Sequence, residues 1–175
     1  MPQSSFPHTQ SWIVQFSALP ENLEELKLLP EAGLLQPYHT AALTVAALCA
    51  YVKNPAAATL MLDYLKGPQP MSTYDKQFLA DRLRGKDYLP NSFFSGAVPE
   101  SGYLPVRPFT LIIMETVHSA AQLSEGYMQL YIQSGGADSP RPVKLRQKPS
   151  TGQWFLWEQM LLSDIRQPVS CDSWA

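Results

Sequence analysis

The sequence predicts an α+β domain in which an N-terminal block of about four helices packs on a C-terminal antiparallel β-meander of about four strands. The first half contains helix-start signals followed by apolar residues at helical spacing. The last third contains short segments in which apolar and polar residues alternate, joined by turn residues. With 175 residues, 45% of them hydrophobic and 16% charged, the chain fits one globular domain with a substantial core.

The N-terminal end is polar, and residues 1–10 predict a flexible leader, which leaves a single α+β domain over 11–175. The segment SWIVQF at 11–16 is rich in β-forming residues and predicts a short strand. In PENLEELKLLP, at 20–30, leucines recur at helical spacing before a terminal proline, so a short helix is expected there.

Three further helices are predicted between positions 37 and 85. The segment from Pro37 to Val52 is apolar on nearly every side, which is typical of a helix buried on most sides. Asn54 before a proline predicts an N-cap and a helix that runs to about Lys66. Ser72, followed three residues later by an aspartate, predicts a capping box at the start of the fourth helix.

Residues 86–108 are rich in proline and aromatic residues, which predicts an ordered coat that buries its rings against the domain. After this coat, FTLIIMETV at 109–117 is nearly continuously apolar, as expected of a central strand. YMQLYIQ at 127–133, RPVKLRQK at 141–148 and QWFLWEQM at 153–160 then complete the meander.

The linking segment SGGADSP, at 134–140, resembles a phosphate-binding loop only in its glycines. Asp138 adds negative charge, Pro140 removes a backbone donor, and a strand follows where such a loop requires a helix. The sequence therefore predicts a hairpin loop in which Gly135 and Gly136 supply positive φ angles.

The basic segment that follows this loop predicts a candidate binding surface. By alternation, Lys144, Arg146 and Lys148 lie on one face of their strand. If the register brings the two strands together, that face also carries Tyr127 and Tyr131 of the preceding strand. Such a surface suits an anionic or planar ligand, or a protein partner. Trp154 and Trp157 are three apart on one strand and must face opposite ways, so one of them points away from the helices.

Several classes of function have no support in the sequence. The net charge of −2 argues against a general electrostatic grip on nucleic acid or on an anionic membrane. His8, His39 and His118 are isolated from one another, so no metal site and no cofactor are predicted. Cys49 lies in an apolar helix where a structural thiol is expected, and Cys171 is also expected to be reduced.

The location in the cell is predicted from the absence of export features. The start of the chain lacks the basic and apolar regions of a signal peptide, and no apolar stretch approaches the roughly 20 residues of a membrane span. A cytoplasmic protein without a membrane segment is therefore expected.

The strings SGGADSPRPVKLRQK, GQWFLWEQMLLSDIRQP and DKQFLADRLRGKDYLPNSFFSGAVPESGYLP resemble a family of uncharacterised proteins from gut and other anaerobic Firmicutes. The similarity runs from about Pro20 to the C-terminus. It implies a bacterial intracellular protein and brings no assigned activity or catalytic residues.

The first functional hypothesis is a non-enzymatic binding or interaction module whose contact residues are Tyr131, Arg141, Lys144, Arg146 and Trp157. Its partner would be a protein or an anionic small ligand. The alternatives are a solvated sheet face whose charges prevent aggregation, and a homodimer formed through the tryptophan face. A further alternative is a small cofactor-free hydrolase or isomerase with His118 or His39 as the base, and the residues do not decide whether the protein is an enzyme.

Overall fold

The structure is a computed structural model that describes residues 6–175. Its α-helices within that range are α1 (Leu23–Lys27), α2 (Pro37–Lys53), α3 (Pro55–Lys66) and α4 (Thr73–Leu83). Its strands are β1 (Gln10–Phe16), β2 (Phe109–Glu115), β3 (Tyr127–Ile132), β4 (Arg141–Lys148) and β5 (Gln153–Gln159). The predicted α+β class is confirmed.

The strands form one antiparallel sheet in the order β1-β2-β3-β4-β5. The described sheet has five strands where a meander of about four was expected, because the strand predicted at 11–16 joins it. β2 to β5 are the predicted meander, and β1 adds to the outer edge of β2 with Phe16 opposite Phe109. This pairing joins segments nearly a hundred residues apart in the chain, and local sequence patterns contain no signal for such a contact.

The helices cover one face of the sheet. α2 contacts all five strands, and every residue from Thr40 to Ala50 is buried between the sheet on one side and α3 and the coat on the other. The Thr40 hydroxyl donates to the Trp154 carbonyl at 2.6 Å, which fixes α2 against β5. The prediction of a helix buried on most sides is confirmed.

The helix starts follow their predicted caps. The Asn54 side chain accepts a hydrogen bond from the Ala57 amide at 3.2 Å and begins α3. At α4, the Asp75 amide donates to the Ser72 hydroxyl at 3.1 Å, and the Ser72 amide donates to the Asp75 carboxylate at 2.9 Å. These reciprocal bonds satisfy donors that the first turn of a helix leaves unpaired.

The proline-rich segment 86–108 is an ordered coat, as predicted. Phe93, Phe94 and Tyr103 are buried, and Tyr88 stacks on Tyr103 with ring centroids 5.6 Å apart. The Tyr103 hydroxyl donates to the Arg166 carbonyl at 2.5 Å and so ties the coat to the C-terminal segment.

The glycines of the 134–140 loop have a role other than the predicted one. Neither Gly135 nor Gly136 has a positive φ angle, so that expectation is wrong. A Cβ atom on Gly135 would instead overlap the Ala97 carbonyl, and one on Gly136 would overlap the Tyr103 hydroxyl. These glycines allow close approach of the loop to the coat, a contact between distant segments that turn preferences do not report.

The N-terminal end contacts β2 and β3. Residues 1–5 of the predicted leader lie outside the described residues. The Thr9 amide donates to the Glu115 carbonyl at 2.8 Å, and the Phe6 ring lies 5.2 Å from the Tyr131 ring. Within residues 6–175, no helix combines the length and the apolar character needed to cross a bilayer.

Candidate functional site

The face of the sheet opposite the helices carries the predicted tyrosine and basic residues of β3 and β4. The register places Tyr127 opposite Arg146 and Tyr131 opposite Pro142. The alternate residues, such as Leu130 and Val143, are buried on the helical side. Because side chains alternate along a strand, the sequence pattern and this register together define the outer face.

Four outer-face side chains form a compact group, which we call the cation–aromatic cluster: Tyr127, Lys144, Arg146 and Trp157. The Lys144 ammonium lies 4.8 Å from the Tyr127 ring centroid. The Arg146 guanidinium lies 5.3 Å from the Tyr127 ring and 4.8 Å from the Trp157 ring. The two rings meet edge to face at 5.5 Å. All of these contacts lie within the range of cation–π and aromatic pair interactions.

A bulge between β4 and β5 contributes to this arrangement. Lys144 is opposite Glu158 and Leu145 is opposite Leu156, so Trp157 is the additional residue of β5. Trp154, three residues earlier, is only 6% exposed and lies on the helical side, where its amide donates to the Leu34 carbonyl at 2.7 Å. The prediction that the two tryptophans face opposite ways is confirmed.

The other two residues assigned to the site from the sequence are not part of the cluster. Arg141 lies opposite Ile132, and its guanidinium donates to the carbonyls of Ser163 and Asp164, both at 2.9 Å. It therefore holds the C-terminal segment in place. Tyr131 lies on the outer face but packs against Phe6, and its hydroxyl accepts a hydrogen bond from Gln129 at 2.8 Å.

Among the described residues, neither cation of the cluster forms an ion pair, although Glu158 lies opposite Lys144 on β5. Within residues 6–175, neither Lys144 nor Arg146 has a carboxylate oxygen within 4.0 Å or a side-chain hydrogen bond. Each instead rests on an aromatic face, and Arg146 is exposed. The cluster thus holds two cations without ion pairs to the described residues, on a chain whose net charge is negative.

A cavity of about 310 Å³, which we call the basic cavity, adjoins the cluster at the free edge of β5. Its polar lining includes Lys66, Arg146 and Lys148, and its apolar lining includes Phe155 and Trp157. The lining among the described residues contains no carboxylate.

The basic cavity depends on the turn after α3. Gly67 has a φ angle of +62° and lies directly on Phe155, because a Cβ atom there would overlap the Phe155 ring. This turn brings Lys66 to the β5 edge, where its ammonium donates to the Trp157 carbonyl at 3.3 Å. Sequence reasoning did not find Lys66 or Phe155, since Gly67 indicated only where the helix ends and not what the turn contacts.

A second cavity, of about 270 Å³, lies farther along β5 and is lined by Tyr74, Phe78 and Met71 from the helical block. It also includes the carboxylates of Asp75 and Glu158. The absence of acidic lining therefore distinguishes the basic cavity from its neighbour.

The histidines proposed as catalytic bases are not brought together. Burial lowers the pKa of His39, while the charge of Glu31 acts in the opposite direction without an ion pair within 4.0 Å. The His118 amide donates to the Thr116 hydroxyl at 3.2 Å, at an exposed position. Neither histidine lines the basic cavity or the cavity next to it.

The cysteines are both free thiols. Burial raises the pKa of the Cys49 thiol to about 12, so it stays protonated at physiological pH, and the contact of its sulfur with the Asn91 side chain at 3.6 Å is structural. Cys171 is exposed. Within residues 6–175, no group of three or more histidine, cysteine or acidic side chains is placed to hold a metal ion.

A family model described as a domain of unknown function, DUF6935, matches residues 18–169. The chain belongs to the DUF6935 family. The matched residues contain all four described helices and β2 to β5, so the cation–aromatic cluster and the basic cavity lie within the DUF6935 region, and β1 precedes it. No curated protein and no solved structure matches the chain.

Proposed function

We propose that this DUF6935 protein is a non-enzymatic binding module that holds an anionic partner on the outer face of its sheet. One observation supports this most strongly: Arg146 lies over both Tyr127 and Trp157 and has no carboxylate within 4.0 Å among the described residues. An ion pair would neutralise this charge, whereas aromatic rings orient the guanidinium and leave its charge available.

The Arg146 side chain is preorganised for binding. A free arginine side chain loses up to about 2 kcal/mol of conformational entropy when a partner fixes it. At Arg146 the two rings already restrict the side chain, so less of this cost remains to be met on binding. Its guanidinium retains donors suited to a carboxylate or phosphate, and Lys144 adds a second charge on the same face.

The cellular setting is part of the same proposal. The resemblance to Firmicute proteins favours a bacterial source, and the two free thiols suit a reducing compartment such as the cytoplasm. A solvated sheet face is the competing interpretation, because charged residues on a sheet often serve only to prevent aggregation. The two interpretations differ in whether the position of the cations matters for binding.

The experiment compares two charge reversals that change net charge equally. Lys144→Glu with Arg146→Glu alters the cluster, while Lys76→Glu with Lys86→Glu alters exposed lysines that form no ion pair or cation–π contact among the described residues. We expect the native protein and the control to be retained on phosphocellulose at low ionic strength and the cluster variant to flow through. Equal elution of the two variants would overturn the proposal, provided that circular dichroism shows both folded.

A further inference from the structure

The basic cavity adjoins the open face of the sheet and shares Arg146 and Trp157 with the cation–aromatic cluster, while Lys66, Lys148 and Phe155 line the cavity and are not part of the cluster. It lies where the turn after α3 crosses the free edge of β5, and its volume of about 310 Å³ suits a compact small molecule. Phe155 and Trp157 are neighbours on the outer side of β5 and give it an aromatic wall.

Three cations surround this aromatic wall from two directions. Arg146 and Lys148 come from β4, and Lys66 comes from the end of α3 on the opposite side of the β5 edge. One of the three donors of the Lys66 ammonium is used by the Trp157 carbonyl, at 3.3 Å. The described lining of the basic cavity has no carboxylate, although Lys66 also lines the neighbouring cavity that holds Asp75 and Glu158. A bound anion would relieve the repulsion among the three cations.

We propose that the basic cavity binds a small organic anion that combines a flat aromatic body with a phosphate or carboxylate group. This inference rests on the proposed binding function and names the class of ligand. The flat body would lie against Phe155 and Trp157, and the anionic group would lie between Lys66 and the β4 cations Arg146 and Lys148. A purely apolar ligand would leave the three charges unpaired, and a purely inorganic anion would leave the aromatic wall in contact with water.

The test uses three naphthalene probes that differ mainly in charge at neutral pH: anionic 2-naphthyl phosphate, neutral 2-naphthol and cationic 2-naphthylmethylamine. Binding is followed by NMR through the indole N–H signal of Trp157, which is assigned by its loss in Trp157→Phe. We expect 2-naphthyl phosphate to shift this signal with a dissociation constant in the micromolar to millimolar range, and the neutral and cationic probes to bind at least about tenfold more weakly.

Two matched variants separate the cavity from the cation–aromatic cluster. Lys66→Gln removes a cavity charge and should weaken 2-naphthyl phosphate binding about tenfold while leaving phosphocellulose retention near that of the native protein. Lys144→Gln removes a cluster charge that does not line the cavity, and should lower retention while leaving probe affinity within about twofold.

The contrary outcomes are distinguishable. Equal binding of all three probes, or no shift of the Trp157 signal at millimolar probe, would overturn the basic cavity as an anion site even if the cluster retained the protein on phosphocellulose. If the cluster variant and the control were retained equally on phosphocellulose while 2-naphthyl phosphate still bound, the proposed role of the open face would be overturned. The cavity would remain as an anion site. Free inorganic phosphate as a competitor then tells whether the anionic group alone is recognised.

Discussion

Gly136 provides a quantitative test of how the 134–140 loop is held. In the structure its φ angle is not positive, and a Cβ atom would overlap the Tyr103 hydroxyl and come within 2.8 Å of the Ile165 Cγ2 atom. Tyr103 is fully buried, and its hydroxyl donates to the Arg166 carbonyl. Gly136→Ala must therefore displace either the loop or the tyrosine.

The expected destabilisation combines opposing effects. Overpacking costs about 1–3 kcal/mol, and loss of the buried Tyr103 hydrogen bond costs about 1–3 kcal/mol. A gain of about 0.4–1 kcal/mol comes from the stiffer unfolded chain. We expect a net loss of about 2–4 kcal/mol in the free energy of unfolding, measured by urea denaturation at unchanged m value.

Two further variants make this prediction specific. Gly152→Ala is the control, because Gly152 has a φ angle of +75° and open space around it, so only backbone strain of about 1 kcal/mol is expected. Tyr103→Phe removes the overlapping hydroxyl and should couple to Gly136→Ala by about 1–2 kcal/mol in a double-mutant cycle. If Gly136→Ala cost no more than the control, or if Gly136→Asn were better tolerated than alanine, close packing of this loop would be refuted.

Four other predictions concern individual side chains. At pH 8, iodoacetamide should modify Cys171 and spare Cys49 in the folded protein. Intact-mass spectrometry should therefore show one modification in buffer and two only in urea. Rapid double modification of the folded protein would contradict the burial of Cys49. Burial raises the pKa of the Cys49 thiol from 9.0 to about 12, so the free energy of unfolding should fall as the pH rises through that window. The fall should reach up to about 1.4 kcal/mol per pH unit relative to Cys49→Ala. Parallel pH profiles of the two proteins would count against the raised pKa. Burial lowers the pKa of His39, so the folded protein resists its protonation and the free energy of unfolding should fall as the pH drops below about 6.5. In urea titrations, His39→Gln should reduce that loss. An unchanged dependence of stability on pH in this variant would argue against the lowered pKa of His39. Ser72→Ala should lower the free energy of unfolding by about 1 kcal/mol through loss of the α4 cap, whereas Ser150→Ala at an exposed turn should have little effect.

Features determined by neighbouring residues could be predicted from the sequence. Asn54 and Ser72 identified helix starts because a cap acts on amides two or three residues away. Alternation in β3 and β4 separated the buried positions from the outer ones because side chains in a strand alternate by geometry. The same parity rule places Arg141 on the side of Val143, opposite to Lys144, and applying it would have separated Arg141 from the cluster.

Features determined by distant contacts could not be predicted. β1 pairs with β2 across the whole helical block, and the close approach of Gly136 to Tyr103 joins the meander loop to the coat. Lys66 reaches the basic cavity only because the Gly67 turn crosses β5. In each case the local residues fix the conformation of the segment, while tertiary packing determines which partner it meets.

We propose that Lys144 and Arg146, held on aromatic rings without ion pairs among the described residues, make the outer sheet face an anion-binding surface. The most direct measurement is an NMR titration of ¹⁵N-labelled protein with inorganic polyphosphate at low ionic strength, with amide and indole shifts mapped onto the structure. We expect the largest shifts around Tyr127, Arg146 and Trp157, and we expect them to disappear in the Lys144→Glu, Arg146→Glu variant. Shifts of equal size around Lys76 and Lys86, or a map unchanged by that variant, would contradict it.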